Sequence, residues 1–384
     1  MLLAIELFDE LVYGTIGAAW PLIRHDLALD YAQVGLLLAV PGFVGSALDP
    51  LIGAAGDTRL RRALITAGGA AFAGAVTLAA GVSAFWALLV ALVVANPASG
   101  AFVSLAQATL MDLAPRDRER NMARWTLAGS FGYVGGPLLI SCALWLGLGW
   151  RAALLGLAVA AVPLVVAAGS RPQIIVTQPK ALGASIRSTL GVLRRREVLR
   201  WLVTLEAADL LLDVFHGFLA LYLVDVARLD PGAAAIGVAA WTGAGLVGDW
   251  LLLPVLRRVD GLRYLRASAL ISLVLYPAFL VAPAGAEKLP LAAALGLLNA
   301  GWYAIPKARL YEALPGQSGA AVAAGGIAGL AGAAVPLVLG VVAESVGLGP
   351  TMWVLLAAPI ALWIAAGRPT TDTSEPSMSV GQSL

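Results

Sequence analysis

Four ionisable side chains interrupt the otherwise apolar run from Trp201 to Val224, within the segment Glu206-Ala-Ala-Asp209-Leu-Leu-Leu-Asp213-Val-Phe-His216. Their spacings of three, four and three residues place all four on one stripe of an α-helix. An ionisable group costs about 2.5 to 3.5 kcal/mol at the centre of a membrane-spanning helix. We therefore expect this stripe to face water, a partner charge or a substrate.

The composition of the chain indicates a membrane protein. Hydrophobic residues make up 60% of the 384 residues, charged residues make up 12%, and the mean hydropathy is +0.87. Soluble domains carry about 25% charged residues. The single cysteine, Cys142, excludes an internal disulfide and a cysteine metal cluster. The net charge of +2 gives no reason to expect nucleic-acid binding, since the basic residues collect in short loops.

Twelve segments are apolar and close to the roughly 20 residues that a spanning helix needs. We predict them at 3–23, 32–55, 62–81, 84–111, 123–146, 150–169, 199–224, 232–256, 264–283, 289–311, 320–343 and 350–367. The fold class is therefore an all-α membrane protein with six helices in each half. The predicted organisation is an N-terminal bundle (1–169), a cytoplasmic linker (170–198), a C-terminal bundle (199–368) and a disordered cytoplasmic tail (369–384).

Basic residues alternate between the connecting loops. One set of loops holds the arginines near 59–62, 116–124, 171–200 and 257–266, with Lys307 and Arg309, whereas the other set holds four basic residues. The positive-inside rule then places both termini and the linker in the cytoplasm. We expect a multi-pass protein of the plasma (inner) membrane, in contact with the lipid bilayer.

An internal repeat relates the two halves at an offset of 200 residues. Glu6 and Asp9 recur as Glu206 and Asp209, and Asp49 recurs as Asp249. Six predicted spans, an even number, separate the copies, so both halves have the same orientation in the membrane. Parallel repeats related by an axis along the membrane normal are typical of secondary transporters with a site between the halves.

Two motifs resemble those of the major facilitator superfamily. Gly53, Asp57, Arg61 and Arg62 match its loop motif after the second helix, although Thr58 and Leu60 depart from it. Gly132, Gly136 and Pro137 look like the core of its fifth-helix antiporter motif. The arginine expected near Asn96 in proton-coupled drug antiporters is absent. The resemblance implies two six-helix bundles, a central cavity lined by the first and seventh helices, and a gating role for Asp57, Arg61 and Arg62.

Carboxylates on these two helices are the candidates for coupling or substrate binding. A carboxyl group in a low-dielectric cavity holds a proton more readily than one in water, because burial disfavours its charged form. The ionised group attracts a cation. The alternative is that these groups form structural hydrogen bonds to neighbouring helices. The candidates are the six carboxylates Glu6, Asp9, Glu10, Glu206, Asp209 and Asp213, together with Tyr13 and His216 on the same helices.

Asp49 and Asp249 lie near the cytoplasmic ends of the second and eighth helices. We predict that they gate the pathway by holding cytoplasmic loops or helix N-termini closed. Lys307 and Arg309, near the cytoplasmic end of the tenth helix, could pair with Glu312 or with a carboxylate of the other half.

The leading hypothesis is proton-coupled efflux of a small cationic or amphipathic compound by a monomeric antiporter that works by alternating access. One alternative is a divalent-metal exporter that uses Asp9, Glu10, Asp213 and His216 as Mn²⁺ or Fe²⁺ ligands. Nutrient uptake and a non-transporting receptor on the same fold are the others. We expect no enzyme activity, no resident metal and no cofactor, since the chain has no Walker sequence, HExxH motif or Ser-His arrangement.

Overall fold

A computed structural model describes residues 1–56, 60–113, 118–170, 194–313 and 318–367. Within these ranges the regular structure is entirely helical. Asp57 of the predicted gating loop, most of the predicted linker and the predicted tail lie outside the described residues.

The first half consists of six helices that run alternately in opposite directions. The fourth helix is interrupted by a π turn, in which the backbone hydrogen bonds close a wider ring than in an α-helix. The bounds are α1 Leu2–Asp26, α2 Tyr31–Gly56, α3 Arg61–Gly81, α4 Phe85–Ser99 with π turn Gly100–Ser104 and continuation Leu105–Leu113, α5 Arg118–Trp145 and α6 Trp150–Gly169.

The second half repeats this arrangement with more interruptions. The bounds are α7 Arg196–Asp209 with π turn Leu210–Val214 and continuation Phe215–Asp225, α8 Pro231–Leu256, α9 Gly261–Val281, α10 Lys288–Leu298 and Ala304–Glu312, α11 Ser318–Gly332 and Val335–Val346, and α12 Leu348–Thr351, a 3₁₀ turn Met352–Leu356 and Ala357–Gly367.

Each of the twelve predicted segments corresponds to one of these helices. Ten of the helices are long and apolar enough to cross a membrane by length and composition. The other two are α1 and α10. Three carboxylates, Glu6, Asp9 and Glu10, make α1 too charged, and a break divides α10 into two short pieces.

Two predictions of continuous helices were wrong. The predicted segment 289–311 is broken after Leu298, where Gly301 has a φ of +75°, a conformation that favours glycine. The predicted segment 320–343 is interrupted after Gly332, and Pro336 lies in the first turn of the following piece, where its missing N–H is tolerated. Pro137, by contrast, lies inside the uninterrupted helix α5.

Large apolar side chains cover the outside of the helical bundle. Trp86, Val159, Trp250 and Val274 are each more than 70% exposed. A soluble protein rarely exposes apolar surface on this scale. The lipid bilayer is the solvent that suits such a surface.

The two halves meet in a pseudo-symmetric way. Within the first half α1 packs against α5 and α3 against α6, and within the second α8 packs against α10 and α9 against α12. Between the halves, α2 packs against α11 and α8 against α5. The two contacts are equivalent by the internal repeat, because α2 corresponds to α8 and α11 corresponds to α5. The contact of α1 with α7 lies between them.

Polar contacts join the halves on the side opposite the basic loops, which we call the closed side. Arg24 donates from Nη1 to Oδ2 of Asp225 at 2.6 Å, and the Tyr31 hydroxyl donates to the same oxygen at 2.7 Å. The Tyr31 backbone N–H donates to Oε2 of Glu344 at 2.9 Å. Gly35 of α2 lies against the backbone of Gly340 in α11, so the two helices approach closely there. The pathway between the halves is therefore shut on this side.

Candidate functional site

A cavity of about 510 Å³ lies between the halves. Helices from both halves line it, with α1 to α5 on one side and α7 and α11 on the other. Its apolar wall includes Ile16, Leu37, Leu38, Phe72 and Leu92. Substrate pockets of carriers and enzymes are commonly a few hundred cubic ångströms, mostly apolar, with a few convergent polar groups.

Five carboxylates line this cavity, and all of them were predicted from the sequence. They belong to α1 and α7, the two helices that carry the repeat, and they are Asp9, Glu10, Glu206, Asp209 and Asp213. Glu10 and Asp213 approach each other from opposite halves closely enough for their charges to interact. The lining contains no lysine or arginine among the described residues. The cavity is therefore acidic.

The acidic stripe of α7 is not the regular α-helical stripe that its spacing predicted. The π turn Leu210–Val214 lies in its middle and shifts the side chains that follow. Asp213 belongs to this turn and is the one carboxylate of the five that is exposed, with its surface facing the cavity. The π turn thus presents Asp213 to the cavity.

Asp9 occupies a more enclosed position. It is 6% exposed, and its Oδ1 accepts a hydrogen bond from the Ser99 hydroxyl of α4 at 2.8 Å. Tyr13, one turn further along α1, stacks on Phe72 with ring centroids 6.4 Å apart, and its hydroxyl lies within hydrogen-bonding reach of Ser99 and Asn96. A connected polar group therefore extends from α1 to α4.

Glu6 does not line the cavity, although the sequence predicted it to be one of the coupling or binding residues. It is 8% exposed and is hydrogen-bonded to Trp125 of α5. Glu6 lies three and four residues before Asp9 and Glu10, but α1 packs against α5 along the face that carries Glu6. The repeat therefore aligns Glu6 with Glu206 in sequence, while only Glu206 reaches the cavity.

The cations at the end of α10 act within their own half. The charge of Lys307 acts on Glu206 and Asp209 of α7. Arg309 forms an ion pair with Asp260 of the α8–α9 loop, with 3.4 Å between Nη2 and Oδ2. The sequence had predicted Glu312 or a carboxylate of the other half as the partner of Arg309, and Asp260 was not among these alternatives. Glu206 and Asp209 therefore have a basic neighbour that the sequence did not reveal.

His216 lies at the interface of the halves. Its ring is placed between Tyr133 of α5, at a centroid distance of 4.5 Å, and Trp241 of α8, at 5.7 Å. The side chain is 6% exposed, and Nε2 has no hydrogen-bond partner. It also contacts Gly17 of α1, where an added Cβ would collide with the imidazole. The ring thus joins both halves at the edge of the cavity.

The predicted gating residues fall at the ends of helices on the side of the basic loops. Gly53 belongs to the last turn of α2, and Arg61 and Arg62 begin α3, with Arg61 buried and Arg62 exposed. Asp249 accepts a hydrogen bond at 3.3 Å from the N–H of Gly301, in the break of α10. Asp49 has Oδ1 beside Gly100 at the start of the α4 π turn. Both aspartates therefore contact an irregular segment of a neighbouring helix of their own half.

The antiporter-like motif of α5 forms the contact between α5 and α1. A Cβ added at Gly132 would collide with the carbonyl of Leu7, and one added at Gly136 would collide with the backbone at Gly14 and Thr15. Pro137 packs beside Gly14. These glycines let two helix backbones touch, which is a packing role.

The metal alternative gains no support from this geometry. Within the described residues, no three histidine, cysteine, aspartate or glutamate side chains lie close enough together to hold a metal ion. Asp9, Asp213 and His216 all line the cavity. However, Asp9 already accepts a hydrogen bond from Ser99, and the His216 ring is packed between two aromatic rings.

Sequence reasoning missed two polar side chains that contact the helices of the site. Ser99 bonds Asp9, and Asn299 donates from Nδ2 to the carbonyl of Leu211 in the α7 π turn at 3.0 Å. They lie 200 residues apart. A search of the repeat for polar residues in both copies, rather than for carboxylates alone, would have found them.

Two parallel helical halves that enclose an acidic cavity, closed on one side, define a membrane carrier. The chain belongs to the Major Facilitator Superfamily, since the model of that family matches residues 2–306. This confirms the resemblance seen in the loop and fifth-helix motifs, and the chain is a transporter rather than an enzyme.

Solved structures of the same fold include two transporters. A crystal structure of the nucleoside transporter NupG (D323A mutant) superimposes with a TM-score of 0.78 at 14% identity, covering 95% of this chain and 98% of that one. A bacterial homologue of the human lysosomal transporter Spinster, in an inward-facing and unoccupied conformation, gives a TM-score of 0.74 at 14% identity, with 95% of each chain covered. Identities this low establish the fold alone. No curated protein sequence matches the chain.

Proposed function

We propose that this transporter exports a small cationic or amphipathic compound in exchange for protons, by alternating access of the cavity between the halves. The observation that carries the proposal is the lining: five carboxylates in about 510 Å³, with no lysine or arginine among the described lining residues. Neighbouring carboxylates repel one another when ionised, so they favour either bound protons or a bound cation. One site can therefore exchange the two.

The orientation of the cavity in the membrane is inferred from the charge of the loops. The basic loops lie on the cytoplasmic side by the positive-inside rule, which also places both termini there. The closed side, marked by the ion pair of Arg24 with Asp225, then faces outward. A cytoplasmic cation reaches the carboxylates in this state. We propose that the protein acts in the plasma (inner) membrane as a monomer.

Proton release from the purified protein in detergent tests the exchange. Tetraphenylphosphonium, ethidium or Mn²⁺ is titrated into weakly buffered wild type and the variants Asp9→Asn and Asp213→Asn. We expect about one proton per bound organic cation in wild type, and loss of release in either variant, since the competing carboxylate is gone. Release triggered by Mn²⁺ alone would instead identify a metal exporter.

A carboxylate away from the cavity supplies the control. Glu287→Gln removes an exposed acid from the α9–α10 loop on the closed side, and should leave the release unchanged. Binding of the cations to wild type without proton release would rule out direct competition. Movement of the bound cation across sealed vesicles then separates a transporter of that cation from a receptor that only binds it.

A neutral nutrient is the second candidate substrate. Tyr133, Trp20 and His216 line the cavity with aromatic or imidazole rings, and Asn96 adds an amide. Such groups suit a planar ring with hydrogen-bonding edges, and one protein of the same fold is a nucleoside transporter. Uptake of radiolabelled uridine or adenosine into vesicles, with no response to organic cations, would favour this candidate.

A further inference from the structure

Helices α4 and α10 lose their regular form at equivalent positions of the repeat. The π turn of α4 begins at Gly100, and the break of α10 is centred on Gly301. The offset between these glycines is 201 residues, one more than the offset of the repeat. π turns and breaks concentrate where helices bend or carry function. The equivalence indicates that the irregularity serves both halves.

An aspartate lies beside each irregular segment, and it belongs to the helix two before that segment in the same half, α2 for α4 and α8 for α10. Asp249 accepts the N–H of Gly301 at 3.3 Å, and Asp49 lies so that a Cβ on Gly100 would be 3.0 Å from its Oδ1. Asp49 and Asp249 are 200 residues apart. Each half therefore places an aspartate near the cytoplasmic end of one helix beside the irregular part of another, through a backbone hydrogen bond at Asp249 and through close approach at Asp49.

A second polar side chain connects each irregular segment to the helix that carries the cavity carboxylates. Ser99, next to Gly100, donates to Asp9 at 2.8 Å. Asn299, two residues before Gly301, donates to the carbonyl of Leu211 at 3.0 Å, inside the π turn that contains Asp213. Ser99 is 7% exposed and Asn299 is 6% exposed, so neither bond competes with bulk water.

We infer that Ser99 and Asn299 are positioning residues, which link the cavity carboxylates of α1 and α7 to the irregular segments of α4 and α10 that rest on Asp49 and Asp249. This inference rests on the proposed function in one respect, namely that Asp9 and Asp213 carry the exchanged proton. Its consequence is that a change of charge at a cavity carboxylate is transmitted to the cytoplasmic ends of α2 and α8. From Asp9 it passes through the hydrogen bond with Ser99, and from Asp213 it passes through the α7 π turn and the hydrogen bond of Asn299 with the Leu211 carbonyl.

One observation argues against a role for Asn299 in packing alone. Its Oδ1 is buried and has no hydrogen-bond partner. Burying an amide with one unsatisfied atom is unfavourable compared with burying a leucine of similar size. A side chain selected only for packing would be apolar, whereas one that must hold the Leu211 carbonyl has to carry a donor.

The experiment compares Asn299→Leu, which removes the donor at nearly constant size, with Asn299→Gln, which keeps a donor. Two readouts are taken on purified protein in detergent. The first is amide hydrogen exchange over 210–214 and 299–303, and the second is the rate at which dicyclohexylcarbodiimide modifies Asp213, resolved by peptide mass spectrometry. We expect Asn299→Leu to speed exchange in both segments and to change the labelling rate by about tenfold, the effect of one buried hydrogen bond, and Asn299→Gln to stay closer to wild type.

Thr242→Val is the matched control. Thr242 is also buried and lines the small cavity that contains Asn299, but its hydroxyl bonds only carbonyls of its own helix, α8. It should leave exchange over 210–214 and the labelling of Asp213 unchanged. The effects of Asn299→Leu and Asp249→Asn on hydrogen exchange over 299–303 should also be non-additive, because both side chains contact the same break in α10 or its flank. Additive effects, or an Asn299→Leu variant that behaves as Thr242→Val does, would overturn the inference.

The first half offers an independent version of the test. Ser99→Ala removes a small hydroxyl and is the variant to use if Asn299→Leu does not fold. It should speed the labelling of Asp9, because the ionised carboxylate loses the donor that stabilises it, and should speed exchange around Gly100. Unchanged labelling of Asp9 would contradict the inference. Labelling does not require transport. Altered labelling in the variants, together with a wild type that exchanges no cation, would therefore overturn the proposed function and leave this inference standing.

Discussion

At the scale of single residues, the pair Glu10 and Asp213 explains how the occupancy of the cavity can favour one conformation. The two carboxylates come from different halves and interact electrostatically. When both are ionised and the site is empty, they repel, and the repulsion opposes closure of the halves around them. A bound cation, or a proton on either group, removes this repulsion. Either ligand therefore favours the conformations in which the halves approach.

Two glutamates of α1 give a sharp test at this scale. Glu10→Gln should reduce cation-dependent proton release by about tenfold or more, since it removes one of the paired charges at the cavity. Glu6→Gln should leave most of the release, because Glu6 faces Trp125 rather than the cavity. Titration of both variants with tetraphenylphosphonium measures this. Equal losses in the two variants would show that the buried face of α1 takes part in coupling.

At the scale of elements, the contact between α1 and α5 holds the acidic helix in place. Gly14, Gly132 and Gly136 lie where the two backbones touch. Helices in lipid associate through close packing rather than the hydrophobic effect, so small residues at the contact decide the distance between their axes. The distance between α1 and α5 in turn fixes which carboxylates of α1 face the cavity and which face α5.

A pair of alanine substitutions tests this packing. Gly136→Ala should destabilise the protein by about 1 to 3 kcal/mol, because the added methyl collides with the backbone of α1. Gly156→Ala in α6, where an added Cβ meets nothing within 4 Å, should be neutral or stabilising by about 0.5 to 1 kcal/mol. Thermal unfolding followed by size-exclusion chromatography with fluorescence detection compares them. A tolerated Gly136→Ala would mean that α5 can move away from α1 at little cost.

At the scale of the whole molecule, the contacts of the closed side must break in every transport cycle. Arg24, Tyr31 and Asp225 form one cluster across the halves, and Glu344 adds a bond to the start of α2. Each side chain of the ion pair is about a quarter exposed, so water screens the pair only in part. Alternating access requires this cluster to be strong enough to shut the side and weak enough to open.

Removal of the ion pair should shift the conformational equilibrium. Arg24→Ala is expected to favour opening of the closed side by about fivefold, the lower end of typical coupling energies. The charge swap Arg24→Asp with Asp225→Arg should restore the wild-type balance. Spin labels at Trp145 and Ser345, exposed residues of opposite halves on this side, report the distance in a Cys142→Ser background. A distance distribution unaffected by Arg24→Ala would assign the closure to the α2–α11 glycine contact instead.

The sequence alone was sufficient for the class of protein, the parallel repeat and the residues of the acidic cavity. Membrane helices need apolar runs of a known length, and charges inside those runs are so costly that each one marks a site. Composition and spacing therefore singled out Asp9, Glu10, Glu206, Asp209, Asp213 and His216, the family resemblance implied a cavity between their helices, and all six line it. The substrate did not follow from the sequence, because acidity alone suits many cations.

Only the tertiary structure decided how these residues are used. Glu6 turns away from the cavity because α1 packs its face on α5, and Asp213 is exposed because a π turn interrupts α7. Lys307, Ser99 and Asn299 join the site from helices that are distant in sequence. The spacing of residues along one helix determines which side chains share a stripe. The neighbour that each stripe meets depends on contacts between helices, and those contacts depend on packing across the whole molecule.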